Sequence, residues 1–232
     1  MPTAAIMQPT YLPYLGYFSL IAQADVFVFL DDVQFARRSW QSRNRILGAG
    51  GEVMLTVPVK KHDRETLIRD IEIADDQPWR DKHLASIRHA YAGRPGFIEG
   101  LAFLEPRLAA QQQGKLADLT CAIAQDAAAE LGLSPRFVRA SQLAVVGRRS
   151  DHLLSICRAV GASDYLSPMG SADYMTEDAV FDGAGFPVRF LGFTPLEYPQ
   201  RRGDFTPYMS FVDALMNLGW SGLRDLLARM RG

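Results

Sequence analysis

The chain has 232 residues, 48% of them apolar and 22% charged, which excludes a largely disordered protein and leaves room for one sizeable core. Its 25 Lys and Arg against 26 Asp and Glu give a formal net charge of −1, so duplex nucleic acid, which needs an overall basic field, is not an expected partner. The start, Met1-Pro2-Thr3-Ala4-Ala5-Ile6, lacks the basic and long apolar regions of a signal peptide, and no run reaches the roughly 18 apolar residues of a membrane span. A cytoplasmic protein without membrane contact is expected.

In chain order, Ala4 to Met7 is a short apolar run broken by the two prolines of Gln8-Pro9-Thr10-Tyr11-Leu12-Pro13. Pro13 suits the first turn of a following helix, where its missing N–H costs nothing, and Leu15, Phe18, Ile21 and Ala22 keep helical spacing. Val26 to Leu30 is wholly apolar and stops at Asp31-Asp32. Strand, loop, helix and buried strand within about 30 residues is the pattern of a βαβ unit. Further strands are expected at Val53–Val59, Ile68–Ile73, Phe137–Ala140 and Phe186–Phe190. Helices are expected over residues 79–92, 99–112 and 115–131, the last stopped by Gly132. Ser150 is placed as the cap of a helix that carries Leu153, Leu154, Cys157 and Val160 and ends at Gly161. Ser210 to Asp213 has the form of a capping box for a helix to Leu218, with a last helix after Ser221. The reading is a single α/β domain over residues 1–232. Its largely parallel sheet opens with a βαβ unit and carries helices on both faces.

Three segments near the start hold candidate chemistry. The loop Gln8 to Tyr14 leaves the carboxyl end of a presumed parallel strand, where open α/β sheets place ligands, and Gln8, Tyr11 and Tyr14 offer hydrogen-bonding and stacking groups. A proline-stiffened turn with packed tyrosines fits it equally well. Asp31 and Asp32 follow a buried strand at the same sheet edge, with Gln34 beyond them. Such a pair could bind a metal, ligate ribose or sugar hydroxyls, or supply a general base, although Asp also caps turns. Asp31, nearer the strand, is the preferred base.

The third segment, Arg37 to Arg45, packs Arg37, Arg38, Arg43 and Arg45 with Trp40, Asn44 and two hydroxyls into nine residues. Guanidinium groups bind phosphate or carboxylate bidentately, and an indole stacks on a base or a sugar ring. A solvated charged loop is the usual reading of a charge run. The excess of Arg over Lys favours an anion site, which Lys60 would extend. Tyr165 and Ser167 open a weaker Ser- and Gly-containing loop that ends near Tyr174. No phosphate-binding glycine motif and no serine-nucleophile elbow occurs, the four histidines (His62, His83, His89, His152) lack metal spacing, and no metal is expected. Cys121 and Cys157 read as buried small hydrophobes.

Three N-terminal motifs, Met7 to Phe18, Asp25 to Phe35 and Arg37 to Ile46, resemble the signature of the WbqC-like family. Gly161 to Tyr174, Tyr198 to Gln200 and Ser210 to Gly219 also match it, so the resemblance spans almost the whole chain. Ser42 stands where the family pattern has asparagine. The resemblance implies a part in building bacterial surface glycans such as O-antigen. The implied reaction is N-acylation or N-aminoacylation of a nucleotide-linked amino sugar, with an activated acyl or aminoacyl donor in place of a fixed cofactor. Donor and acceptor are both anionic, which suits the arginine block. A non-catalytic sugar-nucleotide binding module is the alternative. The first 35 residues are also similar to pantothenate-synthetase-like nucleotidyl-transfer folds. The paired loop histidines of that chemistry are absent, tyrosines occupying their region. Oligomeric state is not legible.

Overall fold

Every residue of Val26–Phe29 is buried, and so is the centre of Thr3–Met7. Strands with no solvent face need a sheet covered on both sides, and that is what forms. The computed structural model describes residues 2–109, 114–201 and 203–230. Strand β1 (Thr3–Met7) leads through α1 (Leu15–Ile21) to β2 (Val26–Phe29), which lies parallel to β1 with Ala4 opposite Val26 and Met7 opposite Phe29. A hairpin follows, β3 (Arg43–Gly48) and β4 (Gly51–Thr56), then α2 (Trp79–Tyr91), α3 (Phe97–Ala109) and α4 (Leu116–Glu130). The remainder alternates β5 (Arg136–Arg139), α5 (Ser150–Ala159), β6 (Asp164–Pro168), α6 (Ala172–Asp178), α7 (Val180–Gly183) and β7 (Val188–Leu191), and closes with α8 (Phe211–Arg229).

The main sheet is parallel throughout, in the order β5-β2-β1-β6-β7. Alternation along the central strands splits the core in two. Ala5, Phe27 and Phe29 point into the larger cluster with residues of α1, α2, α3, α4 and α8. Ala4, Ile6, Val26 and Val28 point into the smaller one with α5, α6 and α7. A fully buried Phe such as Phe27 contributes about 1.5–3 kcal/mol of transfer free energy, so one-residue slippage of β2 would be heavily penalised. The single α/β domain with helices on both faces is the fold expected from the sequence.

Several local expectations differ. The arginine block is no open loop, because its second half is β3, with Arg43 opposite Thr56 and Arg45 opposite Met54. Ile68–Ile73 is not a strand. Residues 68–70 form a 3₁₀ turn, and only isolated bridges follow it, Glu72 to Lys115 and Ile73 to Val59, since Ile68, Ile71 and Ile73 are all buried at a spacing that strand alternation does not allow. Arg149, with φ 52°, caps α5, and Ser150 is its first residue. Ser210 does cap α8, accepting from the Val212 N–H at 3.2 Å, but Asp213 does not reach back to complete a box. Gly219, with φ 68°, breaks α8 where two helices were expected, and the Glu99 carboxylate caps the second part through the Trp220 N–H (2.8 Å). The expected reach of the second long helix past Ala109 lies outside the described residues.

Candidate functional site

In the order β5-β2-β1-β6-β7 the chain winds outward from β1 through β2 to β5, then returns to the other side of β1 with β6. The crossovers on either side of β1 therefore diverge, and a crevice opens at the carboxyl ends of β1 and β6. A cleft of about 510 Å³ lies there, lined by Ile6, Met7 and Gln8 from the end of β1 and by Tyr165 and Pro168 of β6. Thr10, Leu30, Val33, Ser39, Trp40 and Gln41 form one wall, and Arg149, His152, Leu153, Ser171 and Tyr174 form the other. Its volume suits a small organic ligand.

His152 is the cleft's most chemically suggestive group. Its Nε2 lies 3.0 Å from Asp32 Oδ2 and 3.2 Å from Oδ1, while its Nδ1 is buried without a protein partner among the described residues. A carboxylate on one ring nitrogen fixes the tautomer and leaves the other nitrogen for a ligand. The loop before α5 sets this placement. A Cβ on Gly147 (φ 135°) would sit 2.7 Å from the His152 backbone nitrogen, so only glycine allows the chain to fold back over the first turn of the helix.

Asp31 and Asp32 have different surroundings. Asp31 is fully buried, and its oxygens accept from Arg139 Nε (2.6 Å), Ser141 Oγ (2.8 Å) and the Ser141 N–H (2.9 Å). These bonds tie the end of β2 to the last residue of β5 and the turn after it, and Asp31 is not among the residues lining the cleft. Asp31 is thus a buried tie between β2 and β5, while Asp32 pairs with His152 at the cleft wall.

The other candidates divide into three groups. Gln8, Trp40 and Tyr165 line the cleft, with Gln8 Oε1 held by Gln41 Nε2 at 2.8 Å. Ser167 is fully buried behind it, bonded to Ser171. Arg37, Arg38, Arg43 and Lys60 border a separate shallow hollow, and Gln34 lies in a side pocket beside Arg37 and donates to the Arg64 carbonyl (2.6 Å). Tyr14, Tyr11, Asn44 and Arg45 serve packing. Tyr14 packs against Phe193 and Tyr208, and Arg45 is paired with Glu52 at 2.9 Å. Asn44 is buried and donates to the Tyr11 and Leu12 carbonyls (3.1 and 2.9 Å), clasping the first loop to the hairpin. Thr10, Ser39, Gln41, Arg149 and His152 are cleft residues that the sequence did not single out. A glycine and two arginines ahead of a helix that follows a strand was the available signal.

Tyr11 is fully buried with its hydroxyl 2.9 Å from His83 Nδ1. Burial lowers the His83 pKa to about 4, against a smaller opposite push from a hydrogen bond with the Thr56 backbone. The unfolded chain binds this proton near the ordinary histidine value of 6.5 and the folded one only near 4. Stability from this group is therefore complete above about pH 6.5 and is lost as pH falls toward 4, by about 3 kcal/mol at roughly 1.4 kcal/mol per unit. Urea denaturation of wild type and His83→Gln at pH 7 and pH 4 should show a smaller acid loss in the variant. Equal losses would contradict the assignment.

A family model described as the WbqC-like protein family matches residues 8–225. The chain belongs to the WbqC-like protein family. An uncharacterized protein of Mycobacterium tuberculosis is 30% identical over 226 residues, covering 94% of this chain and 95% of the relative. No solved structure matches. The family match embraces the cleft of this WbqC-like chain from Gln8 through Tyr174, the basic hollow and α8 as far as residue 225. No helix among the described residues is long and apolar enough to cross a membrane.

Proposed function

We propose that this WbqC-like protein is a transferase of surface-glycan precursor synthesis that N-acylates or N-aminoacylates a nucleotide-linked amino sugar held in the switch-point cleft. The observation that carries this reading is the Asp32–His152 pair, whose imidazole lines the cleft with Nδ1 unpartnered among the described residues. Forming an amide from an amine and an activated acyl group requires removal of one proton from the attacking nitrogen. His152 Nδ1 takes it as the N–C bond forms, and Asp32 steadies the resulting imidazolium. The acyl carbon's bond to its leaving group then breaks, and His152 returns the proton to that group. Thr10, Ser39, Ser171 and Tyr174 supply hydroxyls around the same space, suited to a sugar ring. Trp40, 48% exposed at the rim, offers a stacking face.

A panel of nucleotide-linked amino sugars crossed with acyl-thioester and aminoacyl donors, followed by mass spectrometry, tests the reaction. The expected result is an acceptor heavier by one acyl or aminoacyl group. Tight binding of sugar nucleotides with no mass change across the panel would mean a binding module.

A further inference from the structure

The segment from Arg37 to Arg43 forms a partition. Ser39, Trp40 and Gln41 face the cleft, while Arg37, Arg38, Ser42 and Arg43 border a second hollow of about 290 Å³ on the hairpin side. Lys60, Lys61 and His62 close that hollow, and none of its lining residues is acidic. Lys60 is engaged by Glu72 at 2.8 Å. Among the described residues, Arg37, Arg38, Arg43 and Lys61 have no carboxylate within ion-pairing distance, whereas Arg45, two residues along β3 from Arg43, is paired with Glu52. Arg43 Nε is also buried without a partner. Arg38 is held at φ 57°, a conformation that non-glycine residues seldom adopt and that clusters at ligand sites. Four uncompensated cations converging on one concavity, in a protein whose net charge is −1, call for an anion.

We propose that this hollow is a phosphate subsite that binds a phosphate ester or diphosphate of the substrate whose reacting end lies in the cleft, with the chain of that substrate crossing beside Trp40. The inference rests on the cleft reading above for the location of the reacting end, but not for the presence of the anion. The Arg43 guanidinium lies 6.0 Å from the indole centroid and, unlike Arg45 with its Glu52 partner, is free to favour a passing diphosphate. The acceptor's nucleoside diphosphate and a phosphate-bearing acyl carrier such as coenzyme A share this chemistry.

The test is calorimetric titration of inorganic pyrophosphate into the full chain, for wild type, Arg38→Ala, Arg43→Ala, the paired-arginine control Arg45→Ala, and His152→Ala, with melting curves to confirm folding. Pyrophosphate should bind wild type, Arg45→Ala and His152→Ala alike and Arg38→Ala and Arg43→Ala at least tenfold more weakly. A variant that fails to fold is replaced by Arg38→Gln or Arg43→Gln. Parallel titrations of a nucleoside diphosphate and of coenzyme A identify the source, as the one weakened by the same two substitutions. No binding of pyrophosphate to wild type, equal affinity in all five proteins, or tighter binding of single-stranded oligonucleotide than of either small ligand would overturn the proposal. The cleft reading stands or falls separately, on turnover and on His152→Ala.

Discussion

Replacing His152 with alanine should lower turnover of the amino-sugar transfer by about a hundred- to ten-thousandfold, the usual contribution of a positioned general base. KM for the acceptor should change little. The side chain is nearly enclosed and its contact with Asp32 is a single carboxylate pair at 3.0 Å, so the fold should survive its removal. Asp32→Asn should cost less than His152→Ala, because the imidazole remains but loses the carboxylate that fixes its tautomer. Asp31→Asn, by contrast, should act on stability more than on turnover, since the buried Asp31 carboxylate accepts from Arg139 and Ser141. Steady-state kinetics on the three variants checks this ordering. Loss of turnover in Asp31→Asn with full activity in His152→Ala would reverse the assignment of the two carboxylates.

The second large effect is expected far from the cleft, at Asp213. This residue is fully buried at the start of α8, where its oxygens accept from Tyr91 (2.5 Å), Tyr198 (2.7 Å) and Gln200 Nε2 (2.9 Å). Tyr91 in turn accepts from the Leu47 N–H (3.1 Å), so one carboxylate joins α8, α2, β3 and the segment at residues 198–206. Burial pushes its pKa up while the three donors pull it back, and the net direction is upward. Asp213→Ala leaves the Tyr91 and Tyr198 hydroxyls without their acceptor, while Gln200 keeps the Tyr198 hydroxyl and the Thr206 carbonyl. At about 1–3 kcal/mol for each unsatisfied buried group, partly relieved by relaxation, the loss should be about 3–5 kcal/mol. In a chain of this size that corresponds to a fall in Tm of roughly 10–15 °C. Asp213→Asn keeps one acceptor and should lose less than half as much. A melting curve for Asp213→Ala within a few degrees of wild type would show that the network is ornamental.

What was legible in the sequence follows from how locally each feature is determined. The run Val26–Phe29 and the prolines before α1 carry their own structure, because burial on both faces and a fixed φ are properties of a few consecutive residues. Gly219 marked the break in α8 for the same reason. The strand Arg43–Gly48 was hidden because Arg43 and Arg45 alternate with buried Asn44 and Ile46, and the charges dominate the reading. The site was hidden more deeply. His152 acquires its character from Asp32, which lies 120 residues earlier, and Asp31 becomes a scaffold residue only because Arg139 and Ser141 arrive from β5 and the turn after it. Two adjacent carboxylates therefore look alike in sequence and differ in their surroundings. Similarly, the clustering of the arginines was visible in the sequence, but their separation from the cleft by the Ser39–Gln41 partition depends on the hairpin, which tertiary packing creates.

Hydrogen–deuterium exchange in the presence of the nucleotide-linked amino sugar that the panel shows to bind best would locate the ligand directly. The account predicts slowed exchange in residues 6–10, 39–41, 149–153 and 168–174, the segments that wall the cleft at the carboxyl ends of β1 and β6. Protection absent from all four segments, with the ligand demonstrably bound, would contradict it.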